Sequence, residues 1–425
     1  MTGNQGFQSP CRAAFASART DSTIPVILLA SNPLRSRKRM LTSAFSPKGA
    51  LPAANIVIQD RKTLFRLLLD PEAEFGDAYS KGRITLDGDL VSSLEIVYRS
   101  MTEVAHPSWY VNLVSKCMEY VQRNSLRGSR RNIQQHYDLN TDFYQLWLDP
   151  QLVYTCAYYP SPGATLEQAQ VAKLDYVCRK VQLQPGERVV EAGCGWGALA
   201  IHMAKNFGVT VRAFNISREQ ILVARRRANE LGLSHRVEFI EDDYRNIAGE
   251  CDAFVSVGML EHVGRQHYRD LGSIIHRSLA KNGRGLLHFI GHNHPLPFST
   301  WTRKHIFPGA YAPTLGEVMQ VFEPWDLSVL DVENLRLHYA KTLEHWLARF
   351  EKREQQISEM FSPEFMRAWR LYLAESVAGF RVGTLQLFQI VFARTDCRRI
   401  PWTRAHLYTK ERHEEQETTW MHATS

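Results

Sequence analysis

The spacing of hydrophobic residues alternates between two periods along residues 136–395. Short, nearly continuous apolar runs predict buried strands, and the stretches between them repeat apolar residues at helical spacing, which predicts amphipathic helices. The segments that we predict as strands are RVVEAG, TVRAFNIS, RVEFIEDD, AFVSVGML, RGLLHFIG, DLSVLDVENL and LQLFQIVFA. Because the first five alternate with helices, the pattern favours an α/β fold around a mostly parallel sheet.

The chain before residue 136 has a different texture. Residues 1–50 are rich in Ser, Ala and Arg, contain one acidic residue, Asp21, and show no sustained periodicity, so we predict a disordered tail. Residues 51–120 become globular, with the strand IVIQD, the helices RKTLFRLLLD and VSSLEIVYRSM, and the turn-rich stretch DPEAEFGDAYSKGRITLDGDL between the helices. We therefore predict a small N-terminal α+β domain there.

Three further segments depart from a core pattern. Residues 121–135 place four arginines among Ser, Gly and Asn, which predicts an exposed basic linker; a solvated linker and a contact with phospholipid headgroups both fit. Residues 396–425 are polar, and we predict a loose C-terminal tail. Residues 292–325 are rich in Pro and His and form an irregular insertion of the kind that usually carries function.

Composition narrows the class of protein. A chain of 425 residues, 44% of them hydrophobic, is long enough for two domains and excludes a largely disordered protein. The formal charge of +7 and the pI of about 9.0 fit nucleic acid, an anionic membrane surface or acidic substrates and do not choose among them. No apolar run reaches the length of about 18 residues that predicts a membrane span. The seven scattered cysteines form no C-x-x-C pair and favour reduced thiols in a cytosolic protein.

The segment RVVEAGCGWGALAIHMAK reads as a strand, a glycine-rich turn and a helix. A dinucleotide-binding loop has the spacing G-x-G-x-x-G, whereas Gly193, Gly195 and Gly197 are spaced G-x-G-x-G. Glu191 lies two residues before the first glycine, and a carboxylate there disfavours phosphates and suits a cationic ligand. S-adenosylmethionine carries an ammonium and a sulfonium but no phosphate, so the loop predicts a methyltransferase that uses this donor.

Positions after the next two strands bear on the same cofactor. Asp243 and Tyr244 follow the third strand, where folds of this class place an acid for the adenine amino group and a flat side chain against the ring. The second strand ends in Asn215 instead of an acid for the ribose. Either Asn215 and Gln220 replace that acid with neutral hydrogen bonds, or the S-adenosylmethionine interpretation fails.

Several stretches, in order along the chain, match one family: HYDLNTDFYQLWLD, YTCAYYP, GCGWG, ISREQ, DYR, VSVGMLEHVG, LLHFIG, IFPGAYAPTLGEV, HYAKTLEHWLARF and GFRVGTLQLFQIVF. Together they resemble the cyclopropane fatty-acyl phospholipid synthases and their mycolic acid relatives, over roughly residues 60–395. The resemblance implies a Rossmann-like S-adenosylmethionine methyltransferase domain with a seven-stranded, mostly parallel sheet at residues 136–395. The stretch FGDAYSKGRITLDGDL resembles the N-terminal domain of the longer, phospholipid-acting members. A neutral residue at the position of Asn215 is typical of the family too.

The resemblance also implies a reaction and the residues that carry it. The methyl group goes to the cis double bond of an unsaturated acyl chain, and a carbocation then loses a proton as a cyclopropane ring closes. The proton goes to a bound bicarbonate, which the family pattern assigns to Cys156, Glu261, His288, the backbone of Ile290 and Tyr339. Taken singly, Cys156 also reads as a small buried hydrophobe, His288 as a core histidine and Tyr339 as a packing residue.

Aromatic residues near the start of the catalytic domain fit a cationic reaction, because aromatic faces stabilise a cation without reacting with it. Tyr137, Tyr154 and Thr155 are among the residues that we expect to bind the cofactor. We expect no metal site: His288, His292 and His294 would share a strand face, but Pro295 breaks it and no acid or cysteine joins them. 

These observations predict a cytoplasmic enzyme that associates peripherally with the inner face of the membrane, contacts its anionic surface and takes a phospholipid as substrate. We expect no nucleic acid partner and leave a homodimer open. A methyl-branched or methylenated acyl product is an alternative outcome of the same attack. A small-molecule methyltransferase would not need the bicarbonate residues, and a lipid-binding module without catalysis would bind no S-adenosylmethionine.

Overall fold

The structure, a computed structural model, describes residues 27–29, 41–45, 54–104 and 140–408. Its N-terminal unit contains an antiparallel four-stranded sheet and three helices. The strands, in sheet order, are β1 (Ile27–Leu29), β2 (Leu41–Phe45), β3 (Ala54–Ile58) and β4 (Ile84–Gly88). The helices are α1 (Arg61–Leu69), α2 (Pro71–Ser80) and α3 (Leu90–Val104).

The N-terminal unit differs from the sequence prediction in two places. Strands β1 and β2 lie within residues 1–50, which we predicted as a disordered tail, and they pair with the sheet of this unit. The stretch predicted as turn-rich contains α2 and β4. Helix α2 begins because the Asp70 carboxylate accepts the N–H of Ala73 and Pro71 occupies the first turn. The predicted basic linker, residues 121–135, lies outside the described residues.

The larger unit is built on a seven-stranded sheet in the order β10-β11-β9-β8-β5-β6-β7. Its strands are β5 (Arg188–Ala192), β6 (Thr210–Asn215), β7 (Val237–Glu241), β8 (Cys251–Val257), β9 (Leu279–Gly291), β10 (Leu327–Asn334) and β11 (Gln386–Arg394). The first five run parallel to one another, and β11 runs antiparallel to both of its neighbours. The seven predicted strands and the Rossmann-like α/β class are thereby confirmed.

Helices flank this sheet and extend beyond it. They are α4 (Thr141–Gln145), α5 (Leu166–Lys180), α6 (Ala198–Phe207), α7 (Arg218–Glu230), α8 (Leu260–Val263), α9 (Tyr268–Ser278), α10 (Thr300–His305), α11 (Leu315–Phe322), α12 (Arg336–Lys352), α13 (Glu354–Met360) and α14 (Pro363–Val382). The insertion at 292–325 is therefore more regular than predicted. The Ser299 hydroxyl caps α10, and a capping box of Thr314 and Glu317 starts α11. None of the helices within the described ranges is long and apolar enough to cross a bilayer.

The N-terminal unit packs against the larger one through α2 and α3. Helix α3 lies against α14, where the Arg381 guanidinium lies 3.0 Å from the Glu95 carboxylate. Gly76 leaves no room for a side chain, because a Cβ there would lie 2.3 Å from the Trp301 ring of α10. The Asp77 carboxylate lies 2.7 Å from His305 Nε2. On the other side, the Arg367 guanidinium of α14 donates to the Ser80 carbonyl at 2.8 Å. The N-terminal unit is thus attached to the insertion that follows β9.

Candidate active site

A cleft with about 1100 Å³ of open space lies at the carboxyl edge of the parallel strands, where open α/β sheets bind their ligands. Nine of the predicted cofactor residues line it: Tyr154, Thr155, Glu191, Gly193, Gly195, Asn215, Gln220, Asp243 and Tyr244. They come from the carboxyl ends of β5 and β6, the residues that follow β5 and β7, the first turn of α7 and the segment that precedes α5. Gly197 is not among the lining residues, and Tyr137 lies outside the described residues. The role of each in cofactor binding stays a prediction.

The three glycines of the loop all have positive φ angles, but a side chain added at each would meet different surroundings. Gly195 (φ 53°) faces open space, with no atom within 4 Å of a Cβ built on it, so a ligand can approach its backbone closely. A Cβ on Gly193 (φ 87°) would lie 3.0 Å from the Met259 side chain. A Cβ on Gly197 (φ 81°) would overlap the Phe239 ring at 2.6 Å, so this glycine is needed for packing between α6 and β7.

Asn215 and Gln220, the neutral pair predicted in place of a ribose-binding acid, lie in direct contact. The Asn215 amide donates to Gln220 Oε1 at 2.7 Å and lies 3.3 Å from the Gly195 carbonyl. The Ser217 hydroxyl caps α7 and thereby holds the loop between the two side chains. The pair therefore presents a preorganised neutral edge to the cleft.

Asp243 and Tyr244 begin a short turn of 3₁₀ helix after β7. The Asp243 carboxylate accepts the N–H of Arg245 at 3.0 Å, and both side chains are buried. The guanidinium of Arg245 lies 5.2 Å from the centre of the Tyr244 ring. Burial raises the pKa of Tyr244 to about 12, so the phenol is neutral and its flat ring can border an adenine.

Glu191 is fully enclosed, and burial raises its pKa to about 8. The nearby ammonium of Lys173 opposes this shift. Lys173 is itself buried on α5, and its Nζ donates to Thr155 Oγ1 at 2.9 Å. Burial lowers the pKa of Lys173 to about 8. A cationic ligand beside Glu191 would favour the ionised carboxylate. When no ligand is bound, the Lys173 ammonium compensates the charge of the ionised carboxylate.

Lys173 was not predicted as a site residue, although the sequence carries a signal for it. The buried face of α5 recurs at helical spacing, and Lys173 falls on that face in place of an apolar residue. A lysine among apolar positions is rarely buried without a partner, so it marks a charged group inside the fold.

Glu261 and Ile290, both predicted to hold bicarbonate, are joined by a hydrogen bond. The backbone N–H of Ile290 donates to Glu261 Oε1 at 2.6 Å. The other oxygen, Oε2, is buried and has no hydrogen-bond partner in the described part of the chain. Burial raises the pKa of Glu261 to about 7, while the Ile290 N–H favours the ionised form. Glu261 can therefore change protonation near neutral pH.

His288 lies on the same face of β9 as Ile290 and pairs across the sheet with Gln389 of β11. Gln389 Nε2 lies 2.9 Å from His288 Nδ1. An amide nitrogen only donates, so Nδ1 accepts and the ring proton resides on Nε2. Burial keeps the pKa of His288 well below its ordinary value, so the ring is neutral. Its Nε2 is buried and has no partner among residues 54–104 and 140–408.

Cys156 and Tyr339 are linked through Thr342 of α12. The N–H of Ala157 donates to Thr342 Oγ1 at 3.0 Å, and Tyr339 lies one turn before Thr342. Burial raises the pKa of the Cys156 thiol well above its ordinary value, and its Sγ lies 3.1 Å from the Ala157 carbonyl. The Tyr339 ring packs at 4.6 Å from that of Phe380.

Of the predicted bicarbonate residues, Glu261 and Ile290 are in direct contact, and His288 lies two residues before Ile290 on the same strand. Cys156, Tyr339 and Ile290 pack in or against the same apolar cluster. The charge of Lys173 acts on both Cys156 and His288. Their joint role stays a prediction. In the described part of the chain, no three His, Cys, Asp or Glu side chains are grouped so as to hold a metal ion.

Comparison with known proteins gives one consistent family. The sequence model described as mycolic acid cyclopropane synthetase matches residues 124–390. A probable fatty acid methyltransferase of Pseudomonas putida is 31% identical over 85% of this chain and 93% of its own length. The cyclopropane-fatty-acyl-phospholipid synthase of Escherichia coli K12 is 39% identical over 61% of this chain and 67% of its own. The tuberculostearic acid methyltransferase of Mycobacterium tuberculosis is 33% identical over 75% of this chain and 78% of its own.

Solved structures agree with the sequence relatives. A crystal structure of a mycolic acid cyclopropane synthase complexed with SAH and CTAB is 31% identical, with a TM-score of 0.60, over 62% of this chain and 98% of that chain. Coclaurine N-methyltransferase, 20% identical with a TM-score of 0.62 over 78% of this chain and 99% of that chain, shares the fold.

Proposed function

The chain belongs to the mycolic acid cyclopropane synthetase family, and from this premise we propose its substrate and product. It is an S-adenosylmethionine-dependent methyltransferase that acts on lipids, a transferase of one-carbon groups. We propose that the methyl group goes to the cis double bond of an unsaturated fatty-acyl chain of a phospholipid, and that the product carries a cyclopropane ring.

The observation that carries this proposal is the pair of buried polar atoms, Glu261 Oε2 and His288 Nε2, without partners in the described chain. His288 is neutral with its proton on Nε2, so it offers a donor. Glu261, with a pKa of about 7, offers a second donor when protonated. Two donors of this kind, one of which, His288, lies within reach of the Lys173 charge, suit a small anion such as bicarbonate. When bound, bicarbonate supplies a base for the proton that ring closure releases.

The residues that line the cleft have the charges and hydrogen-bonding groups that suit S-adenosylmethionine. Glu191 offers a negative charge to a cation, and Gly195 lets a ligand reach the backbone. Asn215 and Gln220 line the cleft beside the glycine loop and offer neutral hydrogen-bonding groups for a ribose. When bound, S-adenosylmethionine supplies an electrophilic methyl group. No phosphate-binding lysine or arginine is among the residues that line the cleft, apart from Lys173, which is compensated by Glu191.

Aromatic side chains around the cleft suit a cationic intermediate. Tyr154 lines the cleft, and its hydroxyl lies 2.8 Å from that of Tyr372 on α14. Tyr372 packs edge-on against Phe307 of the insertion at 5.4 Å. Aromatic rings are apolar and carry a partial negative charge on their faces, so a site built from them excludes water and can stabilise a developing cation. Water must be excluded because it would capture the carbocation before the ring closes.

A second product is supported by the names of relatives. The Pseudomonas putida relative is named a probable fatty acid methyltransferase, and the Mycobacterium tuberculosis relative a tuberculostearic acid methyltransferase. A methyl-branched or methylenated acyl chain is therefore the alternative product for this enzyme. A small-molecule substrate would leave the buried donors of Glu261 and His288 without a function.

We also propose that the enzyme works as a peripheral protein at the inner, cytoplasmic face of the membrane, with an anionic surface as its contact. The net charge of +7 supports this location. The acyl double bond lies within the hydrocarbon region of a bilayer, so the enzyme must draw the chain out of the membrane to reach it.

The test incubates the purified protein with methyl-labelled S-adenosylmethionine and vesicles of a monounsaturated phospholipid, in buffer with bicarbonate and in buffer freed of it. Label in the lipid supports the proposed substrate class. A rate that falls on bicarbonate removal and recovers on its return supports the anion site. Label that appears only in added water-soluble amines would contradict the lipid assignment.

A further inference from the structure

Helix α1 exposes its apolar side chains. Phe65, Leu68 and Leu69 are 63%, 72% and 71% exposed, whereas the polar residue Thr63 is fully buried. A surface helix normally turns its apolar stripe to the core and its polar residues to solvent. Helix α1 turns Leu64 and Leu67, both half-buried, to the inward side with Thr63 and leaves its three other apolar residues exposed. A contiguous exposed patch of large apolar residues marks a surface that contacts a protein or a membrane.

Basic residues flank the apolar ones on the same exposed arc. Arg61, Lys62 and Arg66 are exposed, and no acidic residue lies within α1. With about 100° of rotation per residue, these three and the apolar three share an arc of about 160° on the helix surface. Apolar residues beside Lys and Arg are the composition of helices that lie in the interface of an anionic bilayer.

An aspartate caps each end of α1. Asp60, the N-cap residue, accepts the N–H of Thr63 at 2.7 Å and its hydroxyl at 2.8 Å, which fixes where the helix begins. Asp70 ends α1 and caps α2, accepting the N–H of Ala73 at 3.1 Å. Asp60 and Asp70 are thus engaged in capping, and Glu74 of α2 lies 3.5 Å from the Arg66 guanidinium.

The geometry connects α1 to the catalytic unit through one helix. Helix α2 follows α1 after a single residue and packs on α10, where Gly76 contacts Trp301 and Asp77 contacts His305. Helix α10 lies in the insertion after β9, the strand that carries His288. A bilayer bound at α1 would therefore be attached to the part of the fold that borders the reacting groups.

We propose that α1 is the membrane-docking helix of this enzyme, with Phe65, Leu68 and Leu69 inserted among the headgroups of an anionic bilayer. This inference rests on the proposed function, because a docking helix would hold the enzyme at the bilayer from which the acyl chain is drawn. A second copy of the chain fits the patch less well. Two copies meeting symmetrically on this face would bring Arg61, Lys62 and Arg66 against their own counterparts.

The experiment measures binding of the full chain to vesicles by flotation. The vesicles contain phosphatidylethanolamine with or without phosphatidylglycerol. One variant combines Phe65→Ser, Leu68→Ser and Leu69→Ser, and a second combines Arg61→Gln, Lys62→Gln and Arg66→Gln. The control combines Leu231→Ser and Ile400→Ser, which are exposed apolar residues of the larger unit, 51% and 45% exposed. Circular dichroism and the unfolding temperature check that each variant folds.

We expect the serine variant to lose at least about tenfold in vesicle affinity, the glutamine variant to lose the preference for anionic vesicles, and the control to bind as the original chain does. Methyl transfer to a short-chain unsaturated phospholipid, dispersed as monomers, should be unchanged in the serine variant. Unchanged vesicle binding of that variant overturns the inference, and a change in its oligomeric state instead would assign the patch to a second copy. If the original chain binds vesicles through α1 but methylates no acyl substrate, the proposed function fails and the docking helix stands.

Discussion

The backbone N–H of Ile290 donates a 2.6 Å hydrogen bond to the carboxylate of Glu261. This bond joins the helix after β8 to β9 and uses one carboxylate oxygen, while the other stays buried without a partner in the described chain. Burial raises the pKa of Glu261 to about 7. A carboxyl group held in this way can take up or release a proton at physiological pH.

Glu261→Gln should slow methyl transfer by at least about tenfold, because an amide does not reproduce the carboxyl O–H that we propose to hold the bicarbonate base. The affinity for S-adenosylmethionine should change little, since Glu261 is not among the residues that line the cleft. Single-turnover rates and calorimetric affinities measure the two quantities. Glu238→Gln, at an exposed position of β7, is the matched control. A loss of cofactor affinity as large as the loss of rate would show that Glu261 has been assigned wrongly.

The same glutamate should make stability depend on pH. Its folded-state pKa of about 7 lies above the ordinary value of 4.5, so folding favours the protonated form. The stabilisation is fully present below pH 4.5 and is lost as pH rises through 7. We expect the free energy of unfolding to fall by roughly 1–3 kcal/mol more in the original chain than in Glu261→Gln over this interval. Denaturant titrations at both ends of the range measure it; an equal pH dependence in the two proteins would contradict the buried, proton-binding state.

Glu191 should make S-adenosylmethionine binding depend on pH. Its pKa in the free protein is about 8, and a cationic ligand binds the ionised form better. Affinity should therefore rise between about pH 6 and 8, approaching tenfold per unit at the acid end, with release of a proton. Calorimetry in buffers of different ionisation enthalpy counts the proton. In Glu191→Gln the affinity should be lower and nearly independent of pH; a flat profile in the original chain would refute the pairing of this carboxylate with a cation.

Lys173 should set the position of that pH profile. Its ammonium lowers the pKa of Glu191, so Lys173→Met should raise that pKa and move the rise in cofactor affinity to higher pH. Lys205→Met removes an exposed lysine of α6 and serves as the control, with no expected shift. The measurement is the dissociation constant of S-adenosylmethionine across the pH range. An unmoved profile in Lys173→Met would show that the two charges do not interact.

Gly76→Ala should weaken the attachment of the N-terminal unit. The added Cβ would lie 2.3 Å from the Trp301 ring, so α2 must move away from α10. We expect a loss of about 1–3 kcal/mol in the free energy of unfolding, the usual cost of overpacking. Gly163→Ala, where a Cβ meets nothing within 4 Å, should be close to neutral. Equal stability of the two variants would mean that α2 does not pack on Trp301.

The sequence predicted what depends on local pattern and missed what depends on distant pairing. The strand periods and the glycine loop after β5 are local, and both were predicted. Gln389 was missed because it contacts His288 only through the antiparallel pairing of β11 with β9, which joins positions 101 residues apart. The sequence also did not show that Gly195 faces open space whereas Gly197 is needed for packing, because only the fold places Phe239 against Gly197.

Lys173 and α2 were missed for a different reason. Lys173 interrupts an apolar face, and burial of its charge becomes evident only when Glu191 of β5 lies nearby. Helix α2 contains Gly76, and its short, acidic sequence reads as a turn until Trp301 packs over that glycine. In both cases the partner comes from a remote part of the chain.

The most direct test of the proposed reaction is the mass and double-bond content of the acyl chains after incubation of the protein with S-adenosylmethionine and vesicles of a monounsaturated phospholipid. We expect acyl chains heavier by one CH₂ group that have lost the double bond, which is the signature of a cyclopropane ring. The same mass gain with the double bond retained would indicate the methyl-branched or methylenated product instead. Acyl chains of unchanged mass, from a protein that binds S-adenosylmethionine, would contradict methyl transfer to phospholipid.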